Sequence, residues 1–369
     1  MIETVEPGFQ SLGQATARRL ARQSVSKGRQ GRTLLVHGPA GGGKQAFVDD
    51  LLALAFCTDV DAERRPCNAC RGCRDARARS HPDLVIGSPE AWREGRSAGE
   101  SIVAAARRWL LSAAGAPVAG ERRVVVIDRA DRANEQTQNA LLKTLEEPTD
   151  RHTFILVADE PSRLLPTIRS RSQLMRIGPV PREELVAFLM DVERLPADQA
   201  QALAAISHGL SGTARAYASD NALLLWRTRV QSELLALLER GPADRFAAVR
   251  DILDDTVRLR PGPVSQVAAE DEADTPKTPA SAQREAAMLV VETWLSLARD
   301  LIVAAVDRPA LAPSAELGPD VARLGPRIGT EPLVRMVRLL ERIHDGLREN
   351  AAPKLSLETA MLTWPRLDR

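Results

Sequence analysis

Aromatic side chains are scarce in this chain of 369 residues, at 3% of the total. That scarcity argues against base stacking as its main way of binding a polymer. No run of about 18 apolar residues occurs, so no membrane span is expected. The N-terminus has no basic region followed by an apolar segment, and no secretory leader is expected. The net charge is +1, so bulk charge points to neither a nucleic-acid nor a membrane partner. Cysteine is confined to four positions, all within 57–73. Such clustering argues against a disulfide framework and reads as a metal site in a cytosolic protein. Hydrophobic content of 44% and charged content of 27% fit a soluble globular chain, long enough for two or three domains.

The most informative stretch is Gly38-Pro39-Ala40-Gly41-Gly42-Gly43-Lys44-Gln45. It follows an apolar run, Thr33 to His37, and precedes a helical pattern with Phe47, Leu51, Leu54 and Ala55 on one face. Strand, glycine loop and helix is the context in which G-x-x-x-x-G-K cradles phosphate. Backbone N–H groups converge on the anion, the helix N-terminus adds its dipole, and Lys44 adds a charge. The motif normally ends in Ser or Thr, whose hydroxyl ligates Mg²⁺; here Gln45 stands there.

Cys57, Cys67, Cys70 and Cys73 follow, the last three in overlapping C-x-x-C steps. Four thiolates are what a closed, structural, tetrahedral zinc site needs. Arg64, Arg65, Arg71 and Arg74 lie among them and are expected to offset part of the thiolate charge. His81 reads as a turn residue rather than a fifth ligand, ahead of a short strand to Ile86. Residues 8–30 read as a helix bearing Arg18, Arg19, Arg22, Lys27 and Arg29, either a solvated face or a basic surface near nucleotide or DNA.

Val124 to Asp128 is an unbroken β-branched run ending in an acid, the pattern of a buried parallel strand. A strand-end Asp after a phosphate loop is positioned to help hold Mg²⁺. A helix is expected over 134–147, a buried strand over 153–157, and a short helical segment over 164–171 carrying Arg169 and Arg171. Alternating strands and helices from 33 to 177 imply a doubly wound parallel α/β sheet. Beyond Pro181 the pattern turns helical, with short helices over 182–192, 197–208 and 211–219. Longer helical stretches follow over 223–259, 284–306 and 331–349, with a Pro-rich, acidic linker or mobile loop at 261–283.

The glycine loop, the cysteine cluster, Val-Val-Val-Ile-Asp, Gln138 to Pro148 and Leu165 to Ser172 occur together in this order. Together they resemble bacterial DNA polymerase III clamp-loader subunits of the AAA+ ATPase superfamily. The resemblance covers roughly residues 10–215. It implies an AAA+ nucleotide-binding-like domain over 1–178 carrying a zinc module at 57–73. A helical lid over 179–220 and an all-α collar over 221–369 would follow, the collar serving oligomerisation. It also implies a ring of such subunits that uses ATP to place a sliding clamp on primed DNA.

Within that resemblance, Gly38, Gly41, Gly43, Lys44, Gln45, Asp128 and Arg215 fall at the nucleotide-binding positions. Gln45, Arg129 and Ala158 depart from the catalytic pattern. A guanidinium at Arg129 cannot accept the proton of an attacking water, because it stays protonated. Ser170-Arg171-Ser172 resembles the segment whose arginine enters a neighbouring subunit's ATP site. A degraded site in cis beside a retained Arg171 in trans resembles the stator of the ring, which does not hydrolyse ATP. The resemblance then implies gamma/tau motors and delta as partners, the clamp and primed DNA reached through the complex, and no membrane. Structural zinc is the expected metal, ATP or ADP stays a candidate without hydrolysis, and Mg²⁺ is left open. The alternatives are an active gamma/tau-type ATPase motor, or a zinc-dependent nucleic-acid-binding module.

Overall fold

The computed structural model describes residues 8–26, 32–146, 151–259, 279–306, 317–349 and 351–367. The chain forms two compact units: residues 1–188 with 209–213, and residues 189–208 with 214–369.

The first unit is built on a parallel sheet of five strands: β1 (Arg32–His37), β2 (Leu84–Gly87), β3 (Arg123–Ile127), β4 (His152–Ala158) and β5 (Ser172–Arg176). Their order across the sheet is β2-β3-β4-β1-β5. Parallel neighbours require crossovers, and helices supply them. Alternate strand residues face opposite sides, so one sheet makes two cores. Leu34, Val36, Val124, Val126, Ile155 and Val157 pack with α1 (Ala15–Ser26) and α2 (Lys44–Phe56). Leu35, Val125, Ile127, Phe154 and Leu156 pack on the other face. There they meet α4 (Pro89–Glu94), α5 (Ile102–Ala113), α6 (Glu135–Glu146) and α7 (Pro166–Arg171). The doubly wound parallel architecture expected from the alternating pattern is what the unit has. The cysteine module, with α3 (Arg71–Arg77), is inserted between α2 and β2.

Local differences from the sequence pattern have local causes. The first helix starts at Ala15, not near residue 8, because Gly8, Gly13 and Gln14 sit at φ 91°, 63° and 64°. There the backbone is tied elsewhere: Gln10 and Ser11 donate their N–H groups to the buried Asp50 carboxylate. Lys27 and Arg29, expected on that helix, lie outside the described residues, as do Glu147 and Pro148. Strand β5 escaped the pattern because three of the five residues of Ser-Gln-Leu-Met-Arg are polar; among the described residues it pairs only with β1, and it leaves Leu174 exposed.

The second unit is helical. Helix α8 (Arg182–Asp191) leads from the first unit into it. It then contains α9 (Ala197–Ile206), most of α10 (Ser211–Ser219) and α11 (Asn221–Ala236). Next come α12 (Pro242–Arg258), α13 (Pro279–Ala305), α14 (Gly318–Ile328), α15 (Thr330–Arg348) and α16 (Pro353–Thr363). Trp294, fully buried on α13, lies in a core shared by α11, α12, α14, α15 and α16. The single helical stretch expected over 223–259 is broken at Arg240-Gly241, and Pro242 restarts it at a first-turn position that needs no N–H. Residues 279–283, expected in a linker, are the first turns of α13; residues 260–278 lie outside the described residues. Among the described residues no helix is long and apolar enough to cross a membrane.

Candidate functional site

The glycine loop leaves β1 at His37 and enters α2 at Lys44. Gly38 approaches the backbone of Ile177 so closely that a Cβ there would lie 1.9 Å from its carbonyl oxygen. Gly43, at φ 94°, starts α2 in a conformation that favours glycine. Lys44 is buried, and its Nζ donates to Gly38 O at 2.9 Å and Pro39 O at 2.8 Å. The same Nζ lies 2.6 Å from Asp159 Oδ1. Strand register explains that contact: His37 pairs with Ala158, so the residue after each strand end meets the other's loop. Thr213 N donates to Gly41 O at 3.0 Å, and Ser211 Oγ to Gly42 O at 3.3 Å. The 211–213 segment therefore lies directly on the glycine loop.

Gln45 and Asp128 are brought together. Gln45 Nε2 donates to Asp128 Oδ1 at 3.0 Å. The other end of the amide is also engaged: Arg79 Nη2 donates to Gln45 Oε1 at 2.8 Å. Arg79 further binds Asp49 Oδ1 through Nε at 3.1 Å and Nη2 at 2.9 Å. Burial pushes the Asp49 carboxyl above its ordinary range, against the charge of Arg79. Arg129 follows Asp128 at φ 47° and is half-buried. Ala158, buried at the end of β4, presents only a methyl group.

Arg171 is the last residue of α7 and is exposed; its Nη1 reaches Thr167 O at 3.5 Å. Ser172 begins β5 and turns its hydroxyl back to Ile168 O at 2.7 Å. Arg215 is also exposed and lies in the second unit, where its Nε pairs with Glu193 Oε1 at 2.8 Å.

The four cysteines come together although sixteen positions of sequence separate the first and last. Their sulfur atoms all lie within 4.8 Å of one another. A tetrahedral zinc site with Zn–S bonds of about 2.3 Å needs sulfurs about 3.8 Å apart, so the cluster fits. Cys57 ends α2, and Cys70 caps α3. Backbone N–H groups of Cys67, Cys70 and Cys73 donate to the sulfurs of Cys57, Cys67 and Cys70, each at 3.4 Å. Burial raises the Cys70 thiol, but hydrogen bonds from Thr58 and Cys73 outweigh it and leave it at about 6. Burial pushes Cys57 and Cys73 upward; a bound cation would reverse that by favouring thiolate. Three of the neighbouring arginines have other partners. Arg65 donates to Asp59 O, Arg74 to Ala69 O, and Arg71 to Asp75. His81 stacks on Phe56 with ring centroids 3.7 Å apart, and its Nδ1 accepts from Asp83 N, which makes it a turn residue.

Two participants were not legible as site residues. Arg79 lies six positions beyond Cys73, in no motif, and reaches Gln45 only because α3 packs on α2. Asp159 is one residue past a strand end, and only the β1–β4 pairing gives it Lys44 as a partner.

A five-stranded parallel sheet, a glycine loop opening onto α2 and an acid at the end of β3 define the first unit as a P-loop-type α/β domain. Residues 13–181 match the family described as "DNA polymerase III, delta subunit". The DNA polymerase III subunit delta' of Pseudomonas aeruginosa is 34% identical over 187 residues, covering 49% of this chain and 54% of that one. That of Escherichia coli K12 is 32% identical over 207 residues, covering 56% and 59%. The DNA polymerase III subunit tau of Escherichia coli is 27% identical over 207 residues, covering 55% and 31%. The chain spans about half the length of the delta' relatives it matches. The matched region of this chain is similar to the corresponding part of DNA polymerase III delta' subunits.

Proposed function

We propose that the chain is the stator of a DNA polymerase III clamp loader, the role expected of a delta-prime subunit. In this reading it does not turn over ATP. It sits beside gamma/tau-type motors and delta in a ring that places a sliding clamp on primed DNA. Arg171 completes a motor's ATP site in trans, the cysteine module holds structural zinc, and the helices from 221 onward form the collar. Residues 179–220 act as the lid.

The observation that carries this is the state of the metal pole. Phosphoryl transfer rests on positioning and charge stabilisation by metal, lysine and a water-orienting group. Here Gln45 and Asp128 are bonded to each other, and Arg79 takes the remaining end of the amide. Arg129 cannot act as the base. Arg171, by contrast, stands exposed at a helix end, where a neighbour's phosphates can reach it. The reading as an active motor would require Gln45 to give up both of these hydrogen bonds to ligate Mg²⁺.

The test is ATP hydrolysis by a complex reconstituted with motor and delta subunits, clamp and primed DNA. Arg171→Ala is expected to leave assembly intact and to cut hydrolysis at that one site by at least about 100-fold, below the usual span for an arginine finger. Unchanged hydrolysis at every site removes the finger role. Turnover on the order of 1 s⁻¹ by the isolated chain would mark it as a motor.

A further inference from the structure

We propose that Arg79, delivered by the cysteine module, is a built-in replacement for the divalent cation of the glycine loop. With Gln45 and Asp128 it bars Mg²⁺, and cutting this bridge opens the loop to Mg²⁺–nucleotide. The inference rests on the reading of a non-hydrolysing site and names the residue that keeps it so.

The geometry has three parts. First, the two groups that would hold the metal hold each other, Gln45 Nε2 donating to Asp128 Oδ1 at 3.0 Å. A cation between them would need the amide turned so that its oxygen replaced its NH₂. Second, that oxygen already accepts from Arg79 Nη2 at 2.8 Å. Turning the amide would aim its NH₂ at a guanidinium that has only donors and cannot lose its proton. Third, Arg79 is held in place. Its side chain is 13% exposed and pairs with Asp49 at 2.9 Å.

The position of Arg79 is a property of the cysteine module. Helix α3 is capped by Cys70 and buries Cys73 against Ala53 O. It ends at Arg77, which is itself paired to the fully buried Asp50 at 2.9 Å. Two residues later the chain bends at Arg79, φ 52°, and sends the guanidinium along α2 towards Gln45. Asp49 and Asp50 are consecutive on α2, so two arginines of one module grip two successive acids of the helix that follows the glycine loop. The module that follows α2 thus places a fixed positive charge against the amide that stands at the metal-ligand position of the loop.

The experiment titrates the purified, metal-loaded full chain with fluorescent ADP, with Mg²⁺ and without added Mg²⁺. Chelator is avoided because it would also attack the cysteine cluster. The parent chain is expected to show no tightening by Mg²⁺. The Arg79→Ala, Gln45→Thr double variant is expected to gain at least about tenfold in Mg²⁺-dependent affinity, the lower end of what metal-site partners control. Gln45→Thr alone, which keeps Arg79, is expected to gain less than about twofold. Mg²⁺-dependent tightening in the parent overturns the proposal and needs no variant. So does a full gain from Gln45→Thr alone, or a folded double variant with no gain. Thermal melting and metal content establish folding, and Arg79→Gln, which keeps polar contacts to Asp49, replaces Arg79→Ala if that chain does not fold. Failure here leaves the Arg171 assay untouched, because that assay reads a neighbour's ATP site.

Discussion

Lys44 Nζ lies 2.6 Å from Asp159 Oδ1, an ion pair made between the loop after β1 and the residue after β4. The ammonium is buried and also caps two loop carbonyls. Removing one member of such a pair leaves the other uncompensated. Asp159→Ala is therefore expected to lower stability by about 1–3 kcal/mol, and Lys44→Met by less, because the carboxylate left behind is more exposed to water than the ammonium. Urea unfolding of both variants checks the order; equal losses would show that the pair matters as packing alone.

The cysteine cluster predicts a metal-dependent first unit. Elemental analysis is expected to find about one zinc per chain. Cys67→Ser, or prolonged chelation, is expected to lower the melting temperature by about 5–15 °C, since binding energy at such a site is folding energy. Absence of metal from the freshly purified chain would refute the four-thiolate site.

Asp83 is fully buried and accepts N–H groups from Val118, Ala119 and Gly120, pinning the loop before β3. Burial raises its carboxyl, but these donors outweigh it and hold the group below its ordinary 3.8. A depressed folded value adds stability that is present above the unfolded value and lost as pH falls through the folded one. Asp83→Asn is expected to cost about 2–3 kcal/mol at pH 7 and clearly less at about pH 3, by denaturant titration at both. A cost independent of pH would assign the loss to geometry.

Asp300 on α13 carries the opposite sign. It is buried, Oδ2 has no hydrogen-bond partner among the described residues, and burial raises its carboxyl to about 6 despite the charge of Arg227. A raised folded value gives stability that is full below the unfolded value of 3.8 and is lost as pH rises through about 6. Relative to Asp300→Asn, the parent is expected to lose about 2–3 kcal/mol between pH 4 and pH 7.5. Parallel stability profiles for the two chains would show that Asp300 does not titrate in this range.

The two cores of the first unit were legible because each buried strand alternates its residues between faces, as Leu34 and Leu35 do. The cysteine cluster was legible because ligand spacing is local. Strand β5 and helices α14 and α16 were not. Ser172 to Arg176 carries little apolar pattern, and α14 contains Gly318, Pro319, Gly325 and Pro326, which read as breakers. Pro319 lies in the first turn of α14, where no N–H is needed, whereas Pro326 lies inside the helix and forgoes one backbone hydrogen bond. Gly325 packs without a side chain against Leu301 and Ala304.

Sequence alone determined which groups the site possesses: Lys44 in a glycine loop, Gln45 where a hydroxyl belongs, Asp128 at a strand end, and four thiols at metal spacing. Those are properties of residue type and short separation, which chain chemistry carries without a fold. Tertiary structure alone decided what the groups are bonded to. Asp159 meets Lys44 through parallel register across two strands, and Arg79 meets Gln45, thirty-four positions away, because α3 packs against α2. Hydrogen bonds act only over contact distances, so partners far apart in sequence acquire meaning only when packing sets them side by side.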